Sequence, residues 1–195
     1  MSDSVWYFAY PEPTPPDAAA LLGGTIADLV GQGIIRRDQD PEAILGEPRG
    51  PVHRPAQGAV ALAGPYDSFM ELLTNGAEFC GSLIFNYGPL NAGTLECRHC
   101  GVTISDQDTE AFDDQINEIG ERVADADFSD GAVRCITCGV DTAVNDWAAE
   151  GGFILAGFGV GLWNWPYGTP VMDAVRDSLE RNVGRPGLAS DGYRI

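Results

Sequence analysis

The chain has 195 residues, 44% of them hydrophobic, enough for one good-sized domain or for a domain carrying a small module. Its eleven basic residues, all Arg, face 29 acids, and the net charge of −18 argues against binding to nucleic-acid phosphates or anionic membranes. The charge is uneven: residues 1–96 hold 4 Arg against 12 acids, residues 97–150 hold 3 against 13, and residues 151–195 hold 4 against 4.

Val5 to Tyr10, β-branched and aromatic, predicts a strand that the prolines between Pro11 and Pro16 stop. Asp17 then precedes a helical run through Ala18, Leu21, Leu22, Ile26, Leu29 and Val30, ended by Gly31 and Gly33. Ile34 and Ile35 open a second strand. Residues 36–57 are charged, rich in Gly and Pro and without periodicity, which predicts a long loop. Ala59 to Ala63 reads as a short strand, Tyr66 to Leu73 as a short helix closed by Asn75-Gly76, and Phe79 to Tyr87 as one strand. Cys80, near its start, reads as a small buried hydrophobe.

Two Cys-x-x-Cys-Gly knuckles follow, Cys97-Arg98-His99-Cys100-Gly101 and Cys135-Ile136-Thr137-Cys138-Gly139. Four thiolates in two such pairs suit one tetrahedral zinc ion, and each trailing Gly admits the positive φ of a tight turn. Disulfides are the competing reading. The cysteine count is odd, Cys80 lies far from both knuckles, and the N-terminus has an acid where a basic signal-peptide region belongs, so a cytoplasmic location and a metal site are expected. A thioredoxin-type site uses a single Cys-x-x-Cys at a helix start, unlike this pair. A rubredoxin-like iron site is the alternative metal. His99, inside the first knuckle, is expected to point outward. A site closed by Cys97, Cys100, Cys135 and Cys138 leaves no place for water, so the expected cofactor is one structural Zn²⁺.

Residues 97–101 and 135–139 resemble the paired knuckles of zinc-ribbon proteins, over 43 of the 195 residues. The resemblance implies a metal and a local fold but no activity, since ribbons occur in transcription factors, ribosomal proteins, enzymes and adaptors. Here neither knuckle has the proline often found after its first cysteine. The 34 residues between the pairs also exceed the compact spacing and imply an inserted helix. Phe112, Ile116, Ile119 and Val123 recur at helical steps, while Asp113, Asp114, Glu118, Glu121 and Asp125 crowd the remaining surface.

Residues 151–172 form an uncharged run of 22, but six glycines, Asn164 and Pro166 argue against a membrane span. Gly152 to Trp165 reads instead as one buried strand, left bare on one face by Gly157, Gly159 and Gly161. Alternation places Trp163 and Trp165 on one face, as a core cap or, if exposed, a binding hot spot. Pro170 opens a helix ending at Gly184, and Leu188 to Ile195 returns as a strand. Strand-helix-strand units at both ends give an α+β fold: a mostly antiparallel sheet with helices on one face. Residues 1–96 and 140–195 are expected to form that domain, and 97–139 a zinc-ribbon insertion.

Familiar catalytic patterns are absent. There is no Gly-Lys-Ser/Thr phosphate loop, no Gly-x-Ser-x-Gly elbow and no His-Glu-x-x-His, and only His53 and His99 are available to a cysteine. The sequence therefore reads as a non-catalytic zinc-binding protein whose Asp113, Asp114, Glu118, Glu121, Trp163 and Trp165 meet a basic protein partner. An immunity- or antitoxin-type protein that neutralises a basic toxin fits its charge and size. The alternatives are an enzyme with a purely structural zinc and a transcription-associated ribbon protein that contacts protein.

Overall fold

The computed structural model describes all residues except 1–2, 83, 87–93, 106–109, 112, 116, 119–120, 122–131, 144–145, 150–153 and 195. The fold is α+β. A six-stranded sheet has the order β13-β1-β12-β4-β3-β2, formed by Leu188–Arg194, Asp3–Tyr10, Phe158–Trp163, Ala77–Cys80, Val52–Pro55 and Ile35–Gln39. Every neighbouring pair in it is antiparallel. Helices α1 (Ala18–Gly31), α2 (Gln57–Ala63) and α4 (Pro170–Val183) cover one face. Strands β5 (Ile84–Asn86) and β11 (Ile154–Ala156) pair with each other and add buried side chains on the other.

Helix ends follow the local chemistry of the sequence. After α1, Gly33 at φ +68 donates its N–H to the Val30 carbonyl, while Ile34 donates to Leu29. That double bond satisfies two orphan carbonyls and needs a left-handed residue, which Gly supplies. Helix α4 begins at Pro170 and is closed by Gly184 at φ +83.

Strand β12 lies at the centre of the sheet with all six residues buried. Phe158, Val160 and Leu162 face the helices, and the opposite face is bare at Gly159 and Gly161. The neighbouring strands use that space. A Cβ on Gly161 would lie 2.7 Å from the Tyr7 ring, and one on Gly159 would lie 2.4 Å from the Phe8 carbonyl oxygen. Gly161 pairs with Tyr7 on one side and Glu78 on the other. Arg49 spans the two, 2.5 Å from the Tyr7 hydroxyl and 3.4 Å from the Glu78 carboxylate. The buried carboxylate thus has a charged partner, as burial requires.

Several expectations fail where distant packing decides. The 36–57 segment is not all loop, because β2 continues to Gln39 and β3 lies inside the segment, pairing with β2 and β4. Ala59 to Ala63 is helix, not strand. Ala59 and Ala63, four apart, bury one face of α2, and Gly58 donates to the Gly33 carbonyl. The strand expected from Phe79 breaks after Cys80, and β4 and β5 belong to different sheets. The strand expected from Gly152 to Trp165 divides at Gly157, where a Cβ would lie 2.2 Å from the Glu12 carbonyl oxygen. Tyr87 and Gly152 lie outside the described residues.

Trp163 and Trp165 do not share a face, and neither offers a partner surface: they are 1% and 2% exposed. Asn164 between them has φ +56, which reverses the alternation. Its Oδ1 accepts from the Ser4 N–H at 2.8 Å, and its Nδ2 donates to the Thr74 carbonyl at 2.6 Å and to Asp3. Local hydrogen bonds of this kind make a left-handed Asn tolerable. Trp163 packs with the second-face cluster and Trp165 with the helix-face cluster, near Phe69. The core reading of both tryptophans holds, and the hot-spot reading does not. Cys80 is fully buried, as expected.

Two glycine substitutions separate these roles in a denaturant titration. Gly159→Ala forces a methyl into backbone atoms of β1 and is expected to destabilise by about 1–3 kcal/mol. Gly23→Ala, in α1 with nothing within 4 Å of the added carbon, is expected to stabilise by about 0.4–1 kcal/mol.

Candidate metal centre

Between β5 and β11 the chain forms a separate set of short strands. β6 (Thr94–Glu96) pairs with β7 (Thr103–Ser105) and with β10 (Ala148–Ala149), and β8 (Ala132–Arg134) pairs with β9 (Asp141–Ala143). Among the described residues these strands pair only with one another. The described residues between 110 and 121 are helical and are called α3. Phe112, Ile116, Ile119 and Val123, the expected apolar stripe, lie outside the described residues, as does Asp125.

Each knuckle is the turn of a hairpin, and the two repeat one hydrogen-bond pattern. Cys97 N–H donates to the Val102 carbonyl at 3.0 Å and Gly101 N–H to the Cys97 carbonyl at 2.7 Å. The corresponding bonds from Cys135 to Val140 and from Gly139 to Cys135 measure 3.0 and 2.8 Å. Gly101 and Gly139 have φ +69 and +71, so each trailing glycine is required by its backbone.

The hairpins face each other, and the ligand atoms of Cys97, Cys100, Cys135 and Cys138 all lie within 4.8 Å of one another. The Cys97 and Cys138 sulfurs are 4.0 Å apart, well beyond a disulfide. With Zn–S bonds of about 2.3 Å, a tetrahedron has sulfur-to-sulfur edges of about 3.8 Å. The cluster therefore fits a metal ion of that size, and the all-thiolate donor set is one that zinc favours. Cys97 and Cys135 are buried, Cys138 is half-buried and Cys100 is exposed. His99 is exposed and takes no part in the cluster.

The thiols are unequal. Burial opposes charge on Cys97, but the backbone N–H groups of Cys100 and His99 and the thiols of Cys100 and Cys135 outweigh it, bringing its pKa down to about 6. At Cys138 the Val140 N–H favours the thiolate, yet burial and the three neighbouring sulfurs push the pKa up to about 11.

Gln115 is the residue that sequence reasoning missed. Its side chain is fully buried. Its Nε2 donates to the Arg134 carbonyl at 3.3 Å, and its Oε1 accepts from the Ile136 N–H at 3.1 Å. The amide thus brackets Cys135, tying α3 to the second knuckle. A signal existed: 115 falls three after 112 and four before 119, a polar residue on the predicted apolar face.

Beside this contact runs a groove of about 840 Å³ lined by Asp114, Asn117, Glu118 and Glu121 of α3 and by residues 134–139 of the second knuckle. Three of the four acids singled out in the sequence therefore face the knuckle. Asp113 is exposed but does not line the groove. Trp163 and Trp165 are buried in the clusters on the two faces of the six-stranded sheet.

Zinc affinity, measured by chelator competition, is expected to fall with pH because protons compete for the sulfurs. The dependence should steepen below about pH 6, where Cys97 also takes up a proton. Gln115→Ala removes both amide bonds beside Cys135, and it should speed zinc loss to a chelator by about tenfold. Among the described residues, no helix is long and apolar enough to cross a membrane. In comparisons with protein-family models, curated proteins and solved structures, the chain matches none of them.

Proposed function

We propose that this chain is a non-catalytic binding protein in which one structural zinc ion braces an acidic recognition module, and that its partner is a basic protein. The observation that carries the reading is the placement of Asp114, Glu118 and Glu121 along one side of a groove whose other side is a metal-site knuckle. Positions i, i+4 and i+7 fall on one side of a helix. A four-thiolate site has no open position for substrate or water, which suits a structural role. An ion held this way would contribute roughly 10 kcal/mol to the folding of the short strands that carry its ligands. Acid-rich surfaces steer basic partners and repel nucleic acid, which fits an immunity-type protein that masks a basic toxin.

The test is affinity capture of basic proteins at low and high salt, with the wild type beside a triple variant, Asp113→Arg, Asp114→Arg and Glu118→Arg. Close charge pairs at interfaces contribute about 1.5–7 kcal/mol, so the variant should bind at least about a hundredfold more weakly. Its circular dichroism and zinc content should match the wild type. Capture unchanged by the triple reversal would remove the reading.

A further inference from the structure

The four sulfurs of the cluster are close together but unequal in access. All lie within 4.8 Å of one another, so proximity alone does not choose a pair. Cys100 is exposed and Cys138 half-buried, whereas Cys97 and Cys135 are buried. The two sulfurs that solvent reaches belong to different hairpins: Cys100 to the turn between β6 and β7, Cys138 to the turn between β8 and β9. Those hairpins lie in different sheets, and no ladder among the described residues joins them. Cys80, the fifth cysteine, is buried on the second face of the six-stranded sheet, outside this group.

Cysteines that hold a metal do so as thiolates, the form that also reacts with oxidants. Hydrogen peroxide is small and uncharged, so a chain of net charge −18 does not repel it. Access directs it first to Cys100. The Cys100 thiolate attacks a peroxide oxygen, the O–O bond breaks, a sulfenic acid forms and hydroxide leaves. The Cys138 thiolate then attacks the Cys100 sulfur. An S–S bond forms, the S–O bond breaks and a second hydroxide leaves. Each sulfur has lost one electron, and the two peroxide oxygens have gained them. The sulfurs close from at most 4.8 Å to the roughly 2.05 Å of a disulfide. Cys97 and Cys135 remain as donors, two short of the four that close a structural zinc site.

We propose that hydrogen peroxide exchanges the metal brace for a covalent one: a Cys100–Cys138 disulfide that expels the zinc yet keeps the two hairpins joined. This inference rests on the structural-zinc reading and adds a redox regulation of that site. The position of the bond decides its effect. A disulfide within either knuckle would leave the hairpins free to separate, because it crosses from neither to the other. The Cys100–Cys138 bond ties them together without an ion, and reduction returns all four donors.

The test treats zinc-loaded protein with a small excess of hydrogen peroxide. Zinc release is followed with a chromogenic chelator too weak to strip the untreated protein, and disulfides are then mapped by mass spectrometry after trypsin. Cleavage after Arg98, Arg122 and Arg134 places Cys97, Cys100 and the Cys135/Cys138 pair on three separate fragments. The expected result is release of the zinc, fragment 99–122 cross-linked to fragment 135–176 through Cys138, and renewed zinc binding after dithiothreitol. Cys100→Ser should slow release by peroxide about tenfold relative to Cys135→Ser, which also keeps three thiols but retains the exposed one. If either variant fails to hold zinc, the wild-type map decides alone. Disulfides confined within the knuckles, zinc retained after treatment, or Cys100 oxidised to sulfinic acid without a cross-link would overturn the inference and leave the structural-zinc reading standing. Reduced, untreated protein without zinc would instead remove that reading, and this inference with it.

Discussion

The six-stranded sheet is organised by a central strand that carries no side chain at two positions on one face. Phe158, Val160 and Leu162 of β12 anchor the helices, but on the reverse face Gly159 and Gly161 let the neighbouring strands close over the backbone. Tyr7 lies across Gly161, and Arg49 joins Tyr7 to the buried carboxylate of Glu78. Glycine weakens a strand by entropy, and here the loss is offset by the aromatic and ionic packing that the missing side chains permit. The β5/β11 pair and Ile44 contribute to the same buried layer.

That second layer also gives rise to the strands that bring the four cysteines together. β5 and β11 are antiparallel neighbours, so the long excursion between them leaves and returns at the same place. The strands of the excursion have two to three residues each, too short to be stable without further support. Four sulfurs drawn within 4.8 Å, with two hairpins of matching hydrogen bonds, supply the missing constraint once a cation replaces the protons. Gln115 extends that constraint to the helix, since its amide bonds on both sides of Cys135.

Charge and rigidity therefore meet in one place. The stretch from 97 to 150 is the most acidic part of the chain, and it is also the part in which the metal cluster lies. Gln115 ties the acid-bearing helix to the second knuckle, and the two line one groove. The tryptophans that looked like a second recognition surface serve the core instead, one on each face of the sheet.

Elements set by local chemistry were legible in the sequence. The first and last strands, helices α1 and α4 with their glycine ends, and the two knuckles each follow from periodicity, a cap or a fixed spacing within a few residues. The four-cysteine cluster was legible for the same reason. Features that depend on residues far apart in the chain were not. Ala59 to Ala63 is a helix because Gly58 docks on Gly33, and β3 is a strand because β2 and β4 pair with it on either side. Gly157 divides one apolar run because the chain at Glu12 to Thr14 occupies the space of a side chain, and Asn164 sends its two tryptophans to opposite faces because Ser4 and Thr74 hold its amide. Gln115 gave only a weak sign, since its partners lie nineteen and twenty-one residues away. The sequence alone determined the composition of the site and the sign of its charge. Tertiary structure decided which acids face the knuckle, because only long-range packing sets the angle at which a helix presents its side chains.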